Sequence, residues 1–234
     1  MAQAAAIKPV SEARINTFLA QVYLLMFVGL AVTGVMSLWV SQNLQFQFRL
    51  FTSPWLGWGL FIIQILVVAV LAARVMSMST GAAALLFLIY AALTGVTLSS
   101  IFLLYSNEQI YSVFFITSAT FLVTSVVGLV IKKDMSSSGH FLFMLLTGWI
   151  LAWTASWLFQ WLFRVDFSTV NWALNYIGIA IFVGLTAWDT QQLKKIGQQI
   201  GSHPARGGLV VIGALKMYLD YINLFLLLLR ASNR

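Results

Sequence analysis

The sequence predicts an all-α membrane protein, a bundle of seven transmembrane helices. Three observations carry this. The 234 residues are 61% hydrophobic and only 8% charged, against about 25% charged in a soluble domain. The apolar residues gather into seven runs, each near the roughly 20 residues that cross a bilayer as a helix. The runs are continuously apolar rather than alternating every second residue, which favours helices over a membrane β-barrel.

The first run covers 17–41. Its stretch from Phe18 to Val40 is too long for the core of a signal peptide and lacks a small-residue cleavage site. It therefore reads as a retained helix behind a short cytoplasmic segment, 1–16. The second run, 55–77, follows the turn-forming Thr52-Ser53-Pro54. The third, 82–105, carries Ala91, Gly95 and Ser99 at the spacing that lets helices approach closely. The fourth covers 111–131, and the fifth, 140–163, follows Ser136 to Gly139. The sixth, 172–193, has Ala180 and Gly184 one turn apart, and the seventh, 210–230, follows the glycine-bearing Gly201 to Gly208. Residues 17–234 thus form one domain. An odd number of spans argues against the inverted two-fold repeats of many transporters.

The net charge of +7 belongs to the flanks of the spans and implies no nucleic-acid partner; it orients the chain in the bilayer. With the N-terminus inside, eight basic residues are cytoplasmic: Lys8, Arg14, Arg74, Lys132, Lys133, Lys194, Lys195 and Arg206. Four are external: Arg49, Arg164, Arg230 and Arg234. This places the N-terminus in the cytoplasm and, after seven spans, the C-terminus outside. If the last span re-entered instead, the terminal arginines would join the inner set. The chain has no cysteine, which excludes disulfides and thiolate metal sites. It also has no Asn-x-Ser/Thr sequon. Both absences fit a bacterial inner membrane.

Only six residues are acidic, and two of them, Asp189 and Asp220, sit inside the last two apolar runs. A carboxylate at membrane depth costs at least a few kcal/mol, so such residues usually mark function. In the seventh run Gly213, Lys216, Asp220 and Asn223 recur at steps of three, four and three, which groups them on one side of a helix. That side should face the bundle axis, since lipid cannot satisfy it. Lys216 and Asp220, one turn apart, can pair directly. The depths do not match at first sight. Asp189 lies about 6 Å inside the end of run six, and Asp220 about 15 Å inside the start of run seven, at 1.5 Å per residue. They meet only if the last helix starts late, bends or tilts.

If they meet, two carboxylates in a low-dielectric site cannot both ionise cheaply, and the pair can share a proton near neutral pH. The pair is also a hard-oxygen site for a calcium ion, weakly held because two carboxylates are too few for tight binding. The competing reading has Asp189 solvated at the membrane edge and Asp220 neutralising Lys216. Arg74, near the inner end of run two, is a candidate charge partner, and Gln64 in mid-run is a candidate supporting polar group. Glu108, Asp134, Asp166, His140 and His203 fall at loops, and the histidines lack metal-ligand spacing.

The run from Gly184 to Leu193 (GLTAWDTQQL), followed by Gly213 to Phe225 (GALKMYLDYINLF), resembles the Bax inhibitor family. The segment Tyr90 to Ser100 (YAALTGVTLSS) resembles that family's third helix. The resemblance implies six helices around a central seventh. It implies a pH-sensitive calcium leak channel whose proton-sharing aspartate pair is Asp189 and Asp220 and whose gating arginine is Arg74. The acidic second-helix residue of the calcium-leak member has no match; Gln64 is nearest. Another bacterial branch of the family modulates a membrane-bound AAA protease, which gives the alternative: an interaction protein acting on such a protease or on a stress response.

Other classes fare worse. A rhodopsin needs an acidic counter-ion on the third helix, and run three has none. There is no H-E-x-x-H, no G-x-S-x-G and no histidine deeper in a span than His140 at the edge of the fifth, and Ala187-Trp188 replaces the G-x-G that precedes an intramembrane aspartyl-protease aspartate. The expectation is therefore a protein that is not an enzyme and has no cofactor, with calcium only as a transported ion.

Overall fold

The computed structural model describes residues 12–200 and 206–233. The expected segment 1–16 lies mostly outside these residues, as do Lys8, His203 and Arg234. The described residues form helices α1 (Glu12–Ser41), α2 (Leu44–Thr52), α3 (Pro54–Arg74), α4 (Thr80–Leu98), α5 (Ile101–Leu104), α6 (Asn107–Val130), α7 (Ser136–Phe163), α8 (Ser168–Ile200) and α9 (Arg206–Ala231). Seven of them, with α4 and α5 counted as one, are long and apolar enough to cross a membrane. The protein is an all-α, multi-pass membrane protein.

The helix boundaries follow local chemistry. Pro54 opens α3, where a missing N–H costs nothing. Ser79 caps α4 by accepting from the Ala82 N–H at 3.2 Å. Ser106 and Gln109 form a reciprocal capping box at the start of α6. The third span breaks at Ser99-Ser100, a pair of the kind that kinks helices. The break exposes the Ser99 carbonyl, which takes a hydrogen bond from Gln47 Nε2 at 2.9 Å. Gln47 belongs to α2, a short helix the hydropathy pattern does not announce. It is too short to span, and Leu44, Phe46 and Phe48 stay exposed, as in a helix lying at the membrane surface.

Helix α9 is the centre. Fifteen of its 26 residues are buried; α3 buries only Leu71, and α7 only Gly139 and Ser156. α8, α1, α6 and α4 pack around α9. Tyr218, fully buried on α9, shares a 2.7 Å hydrogen bond with Thr33 of α1, whose hydroxyl also donates to the Ala91 carbonyl of α4 at 2.9 Å. Phe87 and Tyr90 of α4 pack edge-on against the Tyr218 ring, with centroids 5.5 and 5.9 Å away. α3 hangs on α4, joined by the Gln64 to Thr97 hydrogen bond of 2.6 Å. Arg230, at the far end of α9, lies 4.7 Å over the Trp153 ring of α7.

Small residues allow the closest approaches. A Cβ on Gly95 would come within 2.5 Å of the Thr33 carbonyl, and one on Gly128 would drive into the backbone of Ala187 on α8. Gly128→Ala should therefore cost ~1–3 kcal/mol of stability through overpacking. Gly148→Ala, whose Cβ meets nothing, should cost nothing, since alanine is the better helix former. Unfolding of the two variants in detergent micelles checks this; equal losses would contradict the α6–α8 approach.

Candidate functional site

Asp189 on α8 and Asp220 on α9 face each other across the helix interface and interact directly. They are 7% and 6% exposed. The depth mismatch shrinks because α8 does not end with its apolar run. It continues to Ile200, and Gly197 packs beside Ile15 and Phe18 of α1. Asp189 is thus eleven residues from the end of α8, and Asp220 fourteen from the start of α9. At 1.5 Å per residue these are about 17 and about 21 Å, so the levels differ by about 4 Å rather than about 9 Å. No late start of α9 is needed.

Lys216 completes the group, with a different partner from the one its spacing suggests. Its Nζ lies 3.5 Å from Asp189 Oδ1, across the helix interface, and no ion pair with Asp220 is present among the described residues. The contact lacks hydrogen-bond geometry: Asp189 Oδ1 and Asp220 Oδ2 are buried without a hydrogen-bond partner. The ammonium also lies 5.7 Å over the Trp188 ring, within cation–π range. The Lys216 side chain is 51% exposed.

The expected polar stripe is split. At 100° per residue, Gly213, Asp220, Lys216 and Asn223 occupy a sector about 80° wide. Gly213 and Asp220, at one side of this sector, are buried. Lys216 and Asn223, at the other side, lie on the one face of α9 left partly open, together with Leu209, Ile212, Leu219, Leu226 and Arg230. Asn223 donates only to its own helix, to the Leu219 carbonyl at 2.8 Å. Gln64 serves the α3–α4 contact and is not at the carboxyl pair. Arg74 ends α3 with an exposed side chain and pairs with neither aspartate among the described residues. The reason is that α3 packs on α4 and not on the α8–α9 seam.

Sequence reasoning overlooked two residues beside Asp189. Successive helical positions turn by 100°, so Asp189, Thr190 and Gln191 reach three different neighbours. Asp189 faces α9. Thr190 Oγ1 lies 3.0 Å from the Tyr23 hydroxyl of α1. Gln191 accepts from the Met135 N–H at 2.8 Å and donates to the Lys133 carbonyl at 2.9 Å, holding the α6–α7 connection. The D-T-Q run was the available signal. Four residues on, Lys195 pairs with Asp134 of that connection. The lysine, with Ser136, holds the Asp134 carboxyl well below the ordinary range, at about 2. A lowered value means that this contact is intact above about pH 4 and is lost only as pH falls through about 2, so Asp134 is no sensor near neutrality.

Among the described residues no group of three or more His, Cys, Asp or Glu is placed to hold a metal ion. Calcium takes 6–8 oxygen ligands, about, and two carboxyls supply a fraction of them. The pair can attract a cation and cannot cage one.

Fold and site together define a seven-span membrane protein with a carboxyl pair buried between its last two helices. The family model described as "Inhibitor of apoptosis-promoting Bax1" matches residues 15–233, and the chain belongs to this Bax inhibitor family. It is 41% identical to the inner membrane protein YbhL of Escherichia coli K12 over 94% of this chain and 92% of that one. It is 37% identical to a protein of Borreliella burgdorferi, over 92% and 90% of the two chains, and 34% identical to one of Deinococcus radiodurans, over 94% and 91%.

The geometry ties Lys216 to Asp189 rather than to Asp220. A double-mutant cycle of Lys216→Met with Asp189→Asn should show a coupling of ~1 kcal/mol, reduced by the exposure of the lysine. The cycle with Asp220→Asn should show clearly less. Equal couplings in the two cycles would mean that Lys216 serves both carboxyls alike.

Proposed function

We propose that the protein is a pH-sensitive cation leak channel, with calcium as the transported ion, in which the Asp189–Asp220 pair senses the proton. The observation that carries this is the close approach of two buried carboxyls with an ammonium beside them. An ionised carboxylate only accepts hydrogen bonds, so one proton held between the two carboxyls relieves their repulsion. Losing it leaves two like charges in a low-dielectric site, a state that favours either an incoming cation or a tighter grip on a tethered one. Lys216, on the open face of α9, is the tethered cation here, in the place expected for Arg74. A calcium ion reaching Asp189 competes with it. The role requires no enzymatic chemistry and no resident cofactor.

The name of the E. coli relative supports placement in a bacterial inner membrane. The distribution of basic residues supports a cytoplasmic N-terminus. Reporter fusions after residue 45 should then read as external and fusions after residue 135 as internal; the reverse pattern would overturn the topology.

The decisive measurement is calcium flux into liposomes holding the purified protein. Flux should change across about pH 5 to 8, the range open to a coupled carboxyl pair. Asp189→Asn/Asp220→Asn should flatten the profile, whatever its basal flux. An unchanged profile in that variant removes the pair as sensor. Absence of flux at every pH in the parent would favour the role of a membrane-protease modulator, and copurification of such a protease would then be the readout.

A further inference from the structure

α1 and α6 both pack on α8 and α9 but stand apart from each other. Between them runs a groove with a cavity of about 820 Å³ at one end and a narrower one of about 220 Å³ at the other, joined at Leu30, Gly34, Leu38, Phe114 and Tyr221. The larger volume lies within the ~300–1,000 Å³ of ligand sites. The groove walls include Phe27, Val35 and Leu122, each more than half exposed at membrane depth, so it opens sideways into the bilayer. Its floor is Tyr221, next to Asp220 on the central helix.

Two further observations say what occupies it. First, Ser125 lines the larger cavity, is only 4% exposed, and its hydroxyl has no hydrogen-bond partner. The other hydroxyls there are engaged: Tyr23 with Thr190, and Ser118 with Tyr221. A purely hydrocarbon guest would leave Ser125 unsatisfied. Second, the end of the groove at Leu129 is cationic. Lys194 Nζ donates to the Leu129 carbonyl at 2.8 Å, and Lys132 and Lys133 follow directly, exposed and without an ion pair among the described residues. The one acid nearby in sequence, Asp134, is taken by Lys195. The opposite end, near Ile110, follows the exposed Glu108.

We propose that this groove binds one anionic phospholipid of the surrounding bilayer. Its phosphate lies at Lys132, Lys133 and Lys194, an ester carbonyl accepts from Ser125, and an acyl chain runs between α1 and α6 over Tyr221. Ser125 sits five residues, about 8 Å, inside the end of α6, so phosphate and ester follow each other down the groove in the right order. Basic clusters at the ends of such inter-helix pockets select anionic headgroups. The assignment is independent of the channel reading.

The test is lipid titration of the delipidated full-length protein, read by native mass spectrometry. Phosphatidylglycerol should bind the first site at least about fivefold tighter than phosphatidylethanolamine with the same chains, and Lys132→Gln/Lys133→Gln should bring the two within about twofold. Gly34→Leu projects into the groove, where a Cβ at Gly34 meets nothing. It should weaken phosphatidylglycerol at least fivefold by about the same reasoning of lost burial, while Gly148→Leu on α7 should not. Ser125→Ala keeps the groove intact and removes the donor. The parent should prefer diester over diether phosphatidylglycerol by about fivefold, the worth of one hydrogen bond, and the variant should not. Equal binding of the two headgroups by the parent, unchanged binding in Gly34→Leu, or no diester preference in the parent would each overturn the assignment.

Discussion

The carboxyl pair at the middle of this bundle is buried and lipid cannot satisfy it, so what it needs must come from neighbouring helices. That requirement explains why a span carrying both an aspartate and a lysine is also the most enclosed. α9 is wrapped by α1, α4, α6 and α8, and its buried side carries Asp220 while the remaining open face carries Lys216 and Asn223. The lysine bridges the two environments. Its stem leaves the helix on the open side and its ammonium reaches back to Asp189 and the Trp188 ring, as long cationic side chains do when head and stem prefer different surroundings.

The remaining packing serves to hold α8 and α9 in register. Asp189 must meet Asp220 from an antiparallel helix, and sliding either helix by one turn would move its carboxyl by about 5 Å. The D-T-Q residues hold α8 to α9, α1 and the α6–α7 connection at one level. Asn175 does the same at the far end, donating to the Leu227 carbonyl of α9 at 3.0 Å. Tyr218 ties α9 to α1 and α4. By contrast α3 and α7 bury almost nothing and lean chiefly on α4 and α8. Helices with so few internal contacts are the ones that open at least free-energy cost, so the rigid part of the molecule is the part that carries the carboxyls.

Sequence alone determined the fold class, the seven spans and the two membrane-depth aspartates, Asp189 and Asp220, as the feature of interest. Each follows from a one-dimensional signal: length and continuity of apolar runs for the spans, and rarity of charge at membrane depth for the aspartates. The family signatures around both aspartates pointed to the central last helix. Tertiary structure decided what hydropathy cannot register. Apolar length ended α8 at Leu193, yet the helix runs to Ile200, where Gly197 packs beside Ile15 and Phe18 of α1, so Asp189 lies deeper in its helix than the apolar run suggests. Helical spacing offered Asp220 to Lys216, yet the lysine reaches Asp189, because a partner on the adjacent helix is nearer than one turn along its own. Arg74 had the right depth but the wrong neighbour, since α3 packs on α4. Depth and periodicity are properties of one helix; partnership depends on which helices lie side by side, and that is settled only when all of them pack.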